Sequence, residues 1–391
     1  MVGSFTFQTP SNILFQPGAS RNVGELIARY GARRVMLVTG KIVRSAGLTA
    51  GAEASLASAG IGISIFEDVV VDSPSHVVEA AVAACRADKI ELVLSIGGGS
   101  VLDTAKLVAY LAKTPDRLDD IYGVGLAKGQ RLPLLLAPTT AGTGSEVTPI
   151  AIVTTPTTQK KGVVSSVLIP DWAILDAELT LSLPALVTAA TGIDAMVHAI
   201  EAYTSKHKKN PISDQFARQA LSLLSANVRR VCENGHDIEA RSQMLLGSML
   251  AGMAFANAPV AAVHALAYPI GANFHVPHGL SNALVLTQVL RFNLPAAERL
   301  YAELAPIVDF HAVNRSVAQR ARLFVDAMSA ICRDCKVPLS LADVGIGPQD
   351  LNKLSEDAMT QTRLLVNNPR EVRFEDARAI YTEAFGSPAA H

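Results

Sequence analysis

Cysteine is scarce in this chain of 391 residues, with 4 in all. Cys85 and Cys232 stand alone, and Cys332 and Cys335 form a single CxxC. With no second pair of ligands nearby and no βαβ context around it, that CxxC makes neither a structural zinc site nor a thioredoxin-type motif. Two buried or semi-buried thiols are expected there. Neither sign of charge is in excess: Lys+Arg number 34 against Asp+Glu 35, for a formal charge of -1. Such a balance leaves no electrostatic footprint for nucleic acid or an anionic membrane. Long apolar runs are missing too, since stretches such as Leu132 to Pro138 fall far short of the roughly 20 residues a membrane-spanning helix needs. Met1 to Pro10 lacks the basic start and apolar run of a cleaved secretory signal, so a cytoplasmic location is expected.

What remains is an ordinary globular balance, with 49% hydrophobic and 18% charged residues. A single core usually splits beyond roughly 250 to 300 residues, so two domains are expected. Up to about Leu183, short β-branched or Leu-rich runs alternate with amphipathic stretches, the pattern of a parallel sheet with crossover helices. Arg34 to Thr39, Ile61 to Phe66, Leu92 to Ile96 and Leu134 to Pro138 read as buried strands. Val23 to Tyr30, His76 to Ala87 and Val101 to Ala112 read as helices. From Pro184 onward the β-runs stop and apolar residues recur every three or four positions, as in Phe216 to Ala226 and Arg241 to Ala256. The expected fold class is therefore an α/β N-terminal dinucleotide-binding domain over 1-183 and an all-α C-terminal domain over 184-391. No repeat or low-complexity linker separates them.

After the strand Leu92 to Ile96 comes Gly97-Gly98-Gly99-Ser100, followed by a helical pattern. Glycines let backbone approach a ligand closely, and the free N–H groups at a helix start suit a diphosphate. Such turns are also often purely structural. A second stretch, Thr139-Thr140-Ala141-Gly142-Thr143-Gly144-Ser145-Glu146, follows the strand Leu134 to Pro138 and offers small hydroxyl side chains at a second carboxyl edge, where open parallel sheets bind ligands. Read blandly, it is a turn with Ser145 capping the next helix.

In the second half, Asp194 and His198 are four apart in TGIDAMVHAIEAY and leave one face of a helix. His264 lies in VHALAYPIG and His278 in VPHGL. Three imidazoles and one carboxylate form an N/O set that suits Fe(II) or Zn(II), with a position left open for substrate. Singly, each His has a plain structural explanation. His76, His207, His236, His311 and His391 read as surface residues, and His275, three before His278, reads as a possible neighbour of the ligands.

At these residues the chain resembles the iron-containing (group III) alcohol dehydrogenase family. The motifs are GGGSVLDTAK at Gly97 to Lys106, PTTAGTGSEVT at Pro138 to Thr148, LPALVTAATGIDAMVHAIEAY at Leu183 to Tyr203, then HALAYPIG and VPHGLSNA. The resemblance implies a dehydroquinate synthase-like fold, a homodimer, and Asp194, His198, His264 and His278 as ligands of Fe2+, with Zn2+ or another divalent metal as alternatives. It implies Gly97, Gly98, Gly99 and Ser100 as the phosphate loop, and places Asp103, Thr139, Thr140, Thr143, Ser145 and Lys161 in stretches lining the nucleotide cleft, with Lys160 an alternative to Lys161. Two departures stand out. Where family members often carry a second His one turn after the third ligand, this chain has Tyr268. Where they commonly have Asp at the end of the first nucleotide strand, it has Gly40, followed by Lys41 and Arg44, so that NADP(H) use is expected.

The expected function is an oxidoreductase that exchanges a hydride between a small primary or secondary alcohol, or its aldehyde or ketone, and NAD(P), with the substrate oxygen polarised by the metal. A maleylacetate-reductase or glycerol-dehydrogenase type enzyme is the alternative. A regulator that binds metal and nucleotide without turnover is disfavoured by the intact ligand set beside an intact phosphate loop.

Overall fold

The computed structural model describes residues 4–157 and 159–386. The chain divides into two compact units, one of Gln8–Ser182 and the other of Leu183 onward, joined by the residues preceding Gln8. Within the second unit, Phe7 packs its ring 5.6 Å from that of Phe216.

In the α/β unit six strands form one parallel sheet in the order β1-β9-β6-β4-β2-β3. They are β1 (Asn12–Phe15), β2 (Arg34–Val38), β3 (Gly62–Phe66), β4 (Leu92–Gly97), β6 (Leu134–Pro138) and β9 (Trp172–Leu175). β4 and β6 are buried at every position, as strands must be when helices cover both faces of a sheet. Alternation sorts the strand residues between two cores. Met36, Val38 and Val93 face the one built with α4 (Ser75–Ala87) and α5 (Gly99–Leu111); Val35, Leu37 and Leu92 face the one built with α1 (Val23–Ala28) and α3 (Ala50–Ser58). The short helix α2 (Lys41–Ser45) follows β2 directly. A second sheet, in the order β5-β8-β7, comprises β5 (Gly123–Val124), β7 (Ile150–Thr154) and β8 (Lys160–Val164). β1, β9 and this small sheet were not among the expected strands. β1 is four residues long with every second side chain facing solvent, and so carries no continuous apolar run.

A buried polar network ties the second sheet to α5. Lys106, fully enclosed, donates to Ser145 Oγ at 2.8 Å, Thr148 Oγ1 at 3.1 Å and the Ile150 carbonyl at 2.7 Å. Asp103 accepts from Ser145 Oγ and, at 2.9 Å, from the Ile152 backbone N–H. Ser145 thus bonds across to α5, and the residue preceding its helical turn is Gly144, in the left-handed region at φ 58°.

The second unit is helical: α6 (Ala185–Thr204), α7 (Pro211–Glu233), α8 (Ile238–Asn257), α9 (Ala262–Phe274), α10 (His278–Val308), α11 (Val317–Asp334), α12 (Leu351–Met359), α13 (Thr362–Leu365) and α14 (Phe374–Phe385). α6 has the length and mean hydropathy, 1.2, of a membrane span, but it is the unit's central helix, packed on α7, α8 and α10. The start of α10 presses against it at Gly279, where a Cβ would lie 2.3 Å from the Ala190 carbonyl oxygen. Only glycine allows that approach.

Glu146, beside Lys106, gives the α/β unit a pH-dependent stability. Burial pushes its carboxyl up from 4.5 to about 7, partly offset by the Lys106 ammonium, and one carboxylate oxygen has no hydrogen-bond partner. Because the folded chain holds this proton more tightly than the unfolded one, the favourable contribution is complete below pH 4.5 and is lost as pH rises through 7. Glu146→Gln, neutral at every pH, is therefore expected to gain stability relative to the natural chain between about pH 5 and about pH 8, by at most about 3 kcal/mol. Urea unfolding of both proteins at the two pH values measures this, and a pH-independent difference would contradict it.

Candidate metal centre and nucleotide cradle

Three helices deliver the four predicted ligands to one place. Asp194 and His198 lie one turn apart on α6, His264 sits in the first turn of α9, and His278 opens α10. From Asp194 Oδ1 the Nε2 atoms of His278, His264 and His198 lie at 3.6, 3.7 and 3.9 Å. The rings of His198 and His264 stack with centroids 4.7 Å apart. Donor atoms of a tetrahedral centre with bonds near 2.1 Å sit about 3.4 Å apart, close to these carboxylate–imidazole separations, and Asp194, His198 and His264 each bring a donor atom within 4.8 Å of the other two. Asp194, His198 and His264 are buried, whereas the His278 side chain is 32% exposed, leaving one side of the cluster open.

Two further residues complete the cluster, and sequence reasoning missed both. Asn282 Nδ2 donates to Asp194 Oδ1 at 2.6 Å and lies 3.4 Å from Nε2 of both His264 and His278, while its Oδ1 is buried without a partner. Glu201 reaches Nδ1 of His264 at 2.7 Å. The signal was in the spacing. Glu201 falls seven residues after Asp194 and three after His198, and Asn282 four after His278, so each shares a helical face with a ligand. Burial pushes Asp194 up to about 6, with His264 and Asn282 pulling the other way. At His264 burial opposes the charged ring, but the hydrogen bond and charge of Glu201, with Asp194, outweigh it and raise its pKa.

Around the cluster, Phe255 stacks on His198 at 4.3 Å, and Tyr268 stands with its ring 5.7 Å from His278 and 6.4 Å from His264. His275 is exposed and ends α9 in the left-handed region at φ 57°. His76, His207, His236 and His311 are exposed, and His391 lies outside the described residues. All four cysteines are free thiols, with Cys332 and Cys335 buried.

In the other unit the glycine turn joins β4 to α5 at the carboxyl edge of the sheet, between β6 and β2. Its glycines are not equivalent. A Cβ on Gly97 would lie 2.5 Å from Val101, and one on Gly99 2.7 Å from Thr143, so packing alone demands both. Gly98 has an extended backbone that any residue adopts, and among the described residues a Cβ there would meet only Thr140, at 3.7 Å. Nothing in the fold requires glycine at 98. Its bareness keeps space beside the helix N-terminus, as a bound phosphate needs.

The other expected nucleotide residues are placed variously. Thr139 is buried, and Asp103 and Ser145 spend their polar atoms on the network that holds α5. Ser100 Oγ accepts from the Asp72 backbone N–H at 3.0 Å, and Asp72 pairs with Lys160 at 2.7 Å, which links Lys160 to the loop. Lys161 stands 5.3 Å from the centre of the Tyr122 ring. Gly40 faces Asp68 in an isolated β-bridge; Lys41 pairs with Asp68 at 2.6 Å, and Arg44 with Glu67 at 2.8 Å and Glu53 at 3.4 Å.

Among solved structures, that of 1,3-propanediol oxidoreductase matches with a TM-score of 0.95 and 33% identity, over 98% of this chain and 100% of the other. The structure of sulfoacetaldehyde reductase from Bifidobacterium kashiwanohense in complex with NAD+ matches with a TM-score of 0.88 and 29% identity, over 99% and 100%. With an α/β unit, a helical unit and an N/O ligand cluster, the protein is an oxidoreductase of the class that interconverts alcohols and carbonyl compounds. The model of iron-containing alcohol dehydrogenases matches residues 10–177, and that of the C-terminal region of the Fe-containing alcohol dehydrogenase family matches residues 188–385. The chain belongs to the iron-containing alcohol dehydrogenase family. Long-chain-alcohol dehydrogenase 1 of Geobacillus thermodenitrificans is 38% identical over 384 residues, 96% of this chain and 97% of its own.

Two neighbouring glycines differ in what a methyl group would meet. Gly97→Ala is expected to destabilise the chain by about 1 to 3 kcal/mol through overpacking against Val101. Gly98→Ala is expected to fold with unchanged stability and to bind NADH and NADPH about tenfold more weakly or worse. Calorimetry on both variants tests this, and normal dinucleotide binding by Gly98→Ala would remove the cradle.

Proposed function

We propose that Asp194, His198, His264 and His278 hold one divalent metal, Fe2+ or in its place Zn2+, and that the chain uses it to exchange a hydride between a small primary or secondary alcohol and NAD(P). The carrying observation is that three ring nitrogens each lie 3.6 to 3.9 Å from one buried carboxylate oxygen, with the His278 side chain partly exposed. When bound, the metal supplies Lewis-acid polarisation of the substrate oxygen, and the nicotinamide supplies the hydride acceptor or donor. The residues of the chain position and shield. Asn282 steadies Asp194, Phe255 covers one face of His198, and Tyr268 puts a phenol where relatives often have an imidazole. Any proton exchanged at that position is therefore carried without an imidazole from residue 268. A maleylacetate-reductase or glycerol-dehydrogenase type activity is the alternative, and turnover across a panel of substrates distinguishes them. The reading includes a cytoplasmic homodimer, with the free thiols supporting a reducing compartment.

For the metal, His264→Ala is expected to lose bound metal and to lower turnover by more than about a hundredfold, while dinucleotide binding survives. Metal content by mass spectrometry and dinucleotide titration read the two effects separately. Full metal occupancy and activity in this variant would sink the ligand assignment.

We include NADP(H) use because Gly40 itself brings no carboxylate to the end of β2 to repel a 2′-phosphate, and the Asp68 carboxylate across the bridge is paired with Lys41. Lys41 and Arg44 are engaged by Asp68, Glu67 and Glu53, but the Lys41 pair is largely exposed, and such pairs exchange partners at little cost. Gly40→Asp is expected to shift the ratio of kcat/KM toward NADH by about tenfold, the worth of one charge-assisted contact. Its Cβ would lie 3.0 Å from the Val69 carbonyl oxygen, so the backbone gives way by only a few tenths of an ångström. A strong NADH preference in the natural chain, unchanged by Gly40→Asp, would refute the reading.

A further inference from the structure

Glu201 is buried on α6, one turn beyond His198, and three donors converge on its carboxylate. The Val263 backbone N–H donates to Oε1 at 2.6 Å, the Ala261 backbone N–H donates to Oε2 at 2.9 Å, and His264 Nδ1 lies 2.7 Å from Oε2. Backbone N–H groups only donate, so both oxygens act as acceptors, an arrangement that suits a carboxylate accepting from the ring as well.

That decides which nitrogen of His264 carries the proton. With the proton on Nδ1, the ring donates to Oε2, and the Nε2 lone pair faces the Asn282 amide donor at 3.4 Å and the point shared with Asp194. In the other tautomer two acceptors would meet at 2.7 Å, and an N–H would point into the ligand set where a metal must bind. A ring nitrogen ligates only through its lone pair. The two backbone bonds also tie the entry of α9, which carries His264, to α6, and Ala261 just before that helix has the non-helical angles φ -138°, ψ -130°.

We propose that Glu201 is the positioning residue that makes His264 a metal ligand, by holding the ring in the Nδ1–H tautomer and anchoring the first turn of α9 against α6. This rests on the reading of His264 as a ligand given above. A carboxylate that served only to cap α9 would affect stability and leave metal affinity untouched once the chain is folded. Glu201→Gln separates the two roles. Its amide has one oxygen for three donors, and where its NH2 faces the ring it donates to Nδ1, moves the ring proton to Nε2 and closes that nitrogen to metal.

The test is Zn2+ affinity of the full-length chain, by competition with a chromogenic chelator, for the natural sequence, Glu201→Gln, Glu201→Asp and His264→Ala. Glu201→Gln is expected to weaken Zn2+ binding by about 10- to 100-fold while dinucleotide binding persists, with partial recovery in Glu201→Asp. Unchanged affinity in Glu201→Gln, with metal lost in His264→Ala, overturns this inference and leaves the ligand assignment standing. Metal retained in His264→Ala overturns the ligand assignment and this inference with it. Should Glu201→Gln not fold, 15N shifts of labelled histidines in the natural chain decide. Nδ1 protonated in the neutral His264 ring supports the proposal, and Nε2 protonated overturns it.

Discussion

Charge buried away from water is the constraint on which both units are built. An isolated buried ion is so costly that it must find fixed partners or give up its charge. In the helical unit Asp194 meets this by pairing with Asn282 and standing among three imidazoles, and Glu201 by collecting three donors. In the α/β unit the Lys106 ammonium is met by two hydroxyls and a carbonyl. Glu146, with an unpartnered oxygen, instead takes the other course and shifts toward its neutral form. Each network joins elements distant in sequence, so these buried polar groups also hold the helices and strands in register.

A second constraint is close approach. Gly279 allows α10 to touch the backbone of α6, and this contact brings His278, its immediate neighbour, to within 3.6 Å of Asp194. Gly97 does the same for the β4–α5 turn by making room for Val101. Glycines in the two motifs are therefore of two kinds. Most are demanded by the protein's own atoms, and Gly98 alone of the turn's three is bare without a packing reason.

The central strands and the change to helix after Pro184 were legible in the sequence because they obey simple periods. β4 and β6 are uninterrupted apolar runs, and α6 repeats its apolar positions at helical spacing. The four candidate ligands were proposed from the sequence, two from the four-residue step between Asp194 and His198 and all of them through the family motifs, and the structure brings their side chains near one another. What stayed hidden depends on contacts between distant segments. Short edge strands such as β1 are defined by pairing with β9, whose sequence lies some 160 positions away. Asp103 and Ser145 lie in stretches that line the cleft in relatives, yet here their polar atoms bond to each other, which no local pattern distinguishes from bonding a ligand. Glu201 and Asn282 share a helical face with the candidate ligands, but that spacing also fits many core positions, and only the contacts between α6, α9 and α10 single these two out.

The same reasoning bears on Tyr268. It occupies the helical step after His264 at which relatives often place an imidazole, and its ring lies near both His264 and His278. An imidazole there would be a fourth ring with a lone pair close to the open side of the cluster, able to compete as a ligand or to carry a proton. A phenol is larger and more apolar, and it presents a single oxygen at the end of a rigid ring. The substitution therefore narrows the open side and makes it less polar. With Phe255 stacked on His198, two aromatic rings thus border the cluster. Aromatic rings exclude water from the surfaces they cover, so Tyr268, the ring beside the partly exposed His278 side chain, limits how polar that side of the cluster is.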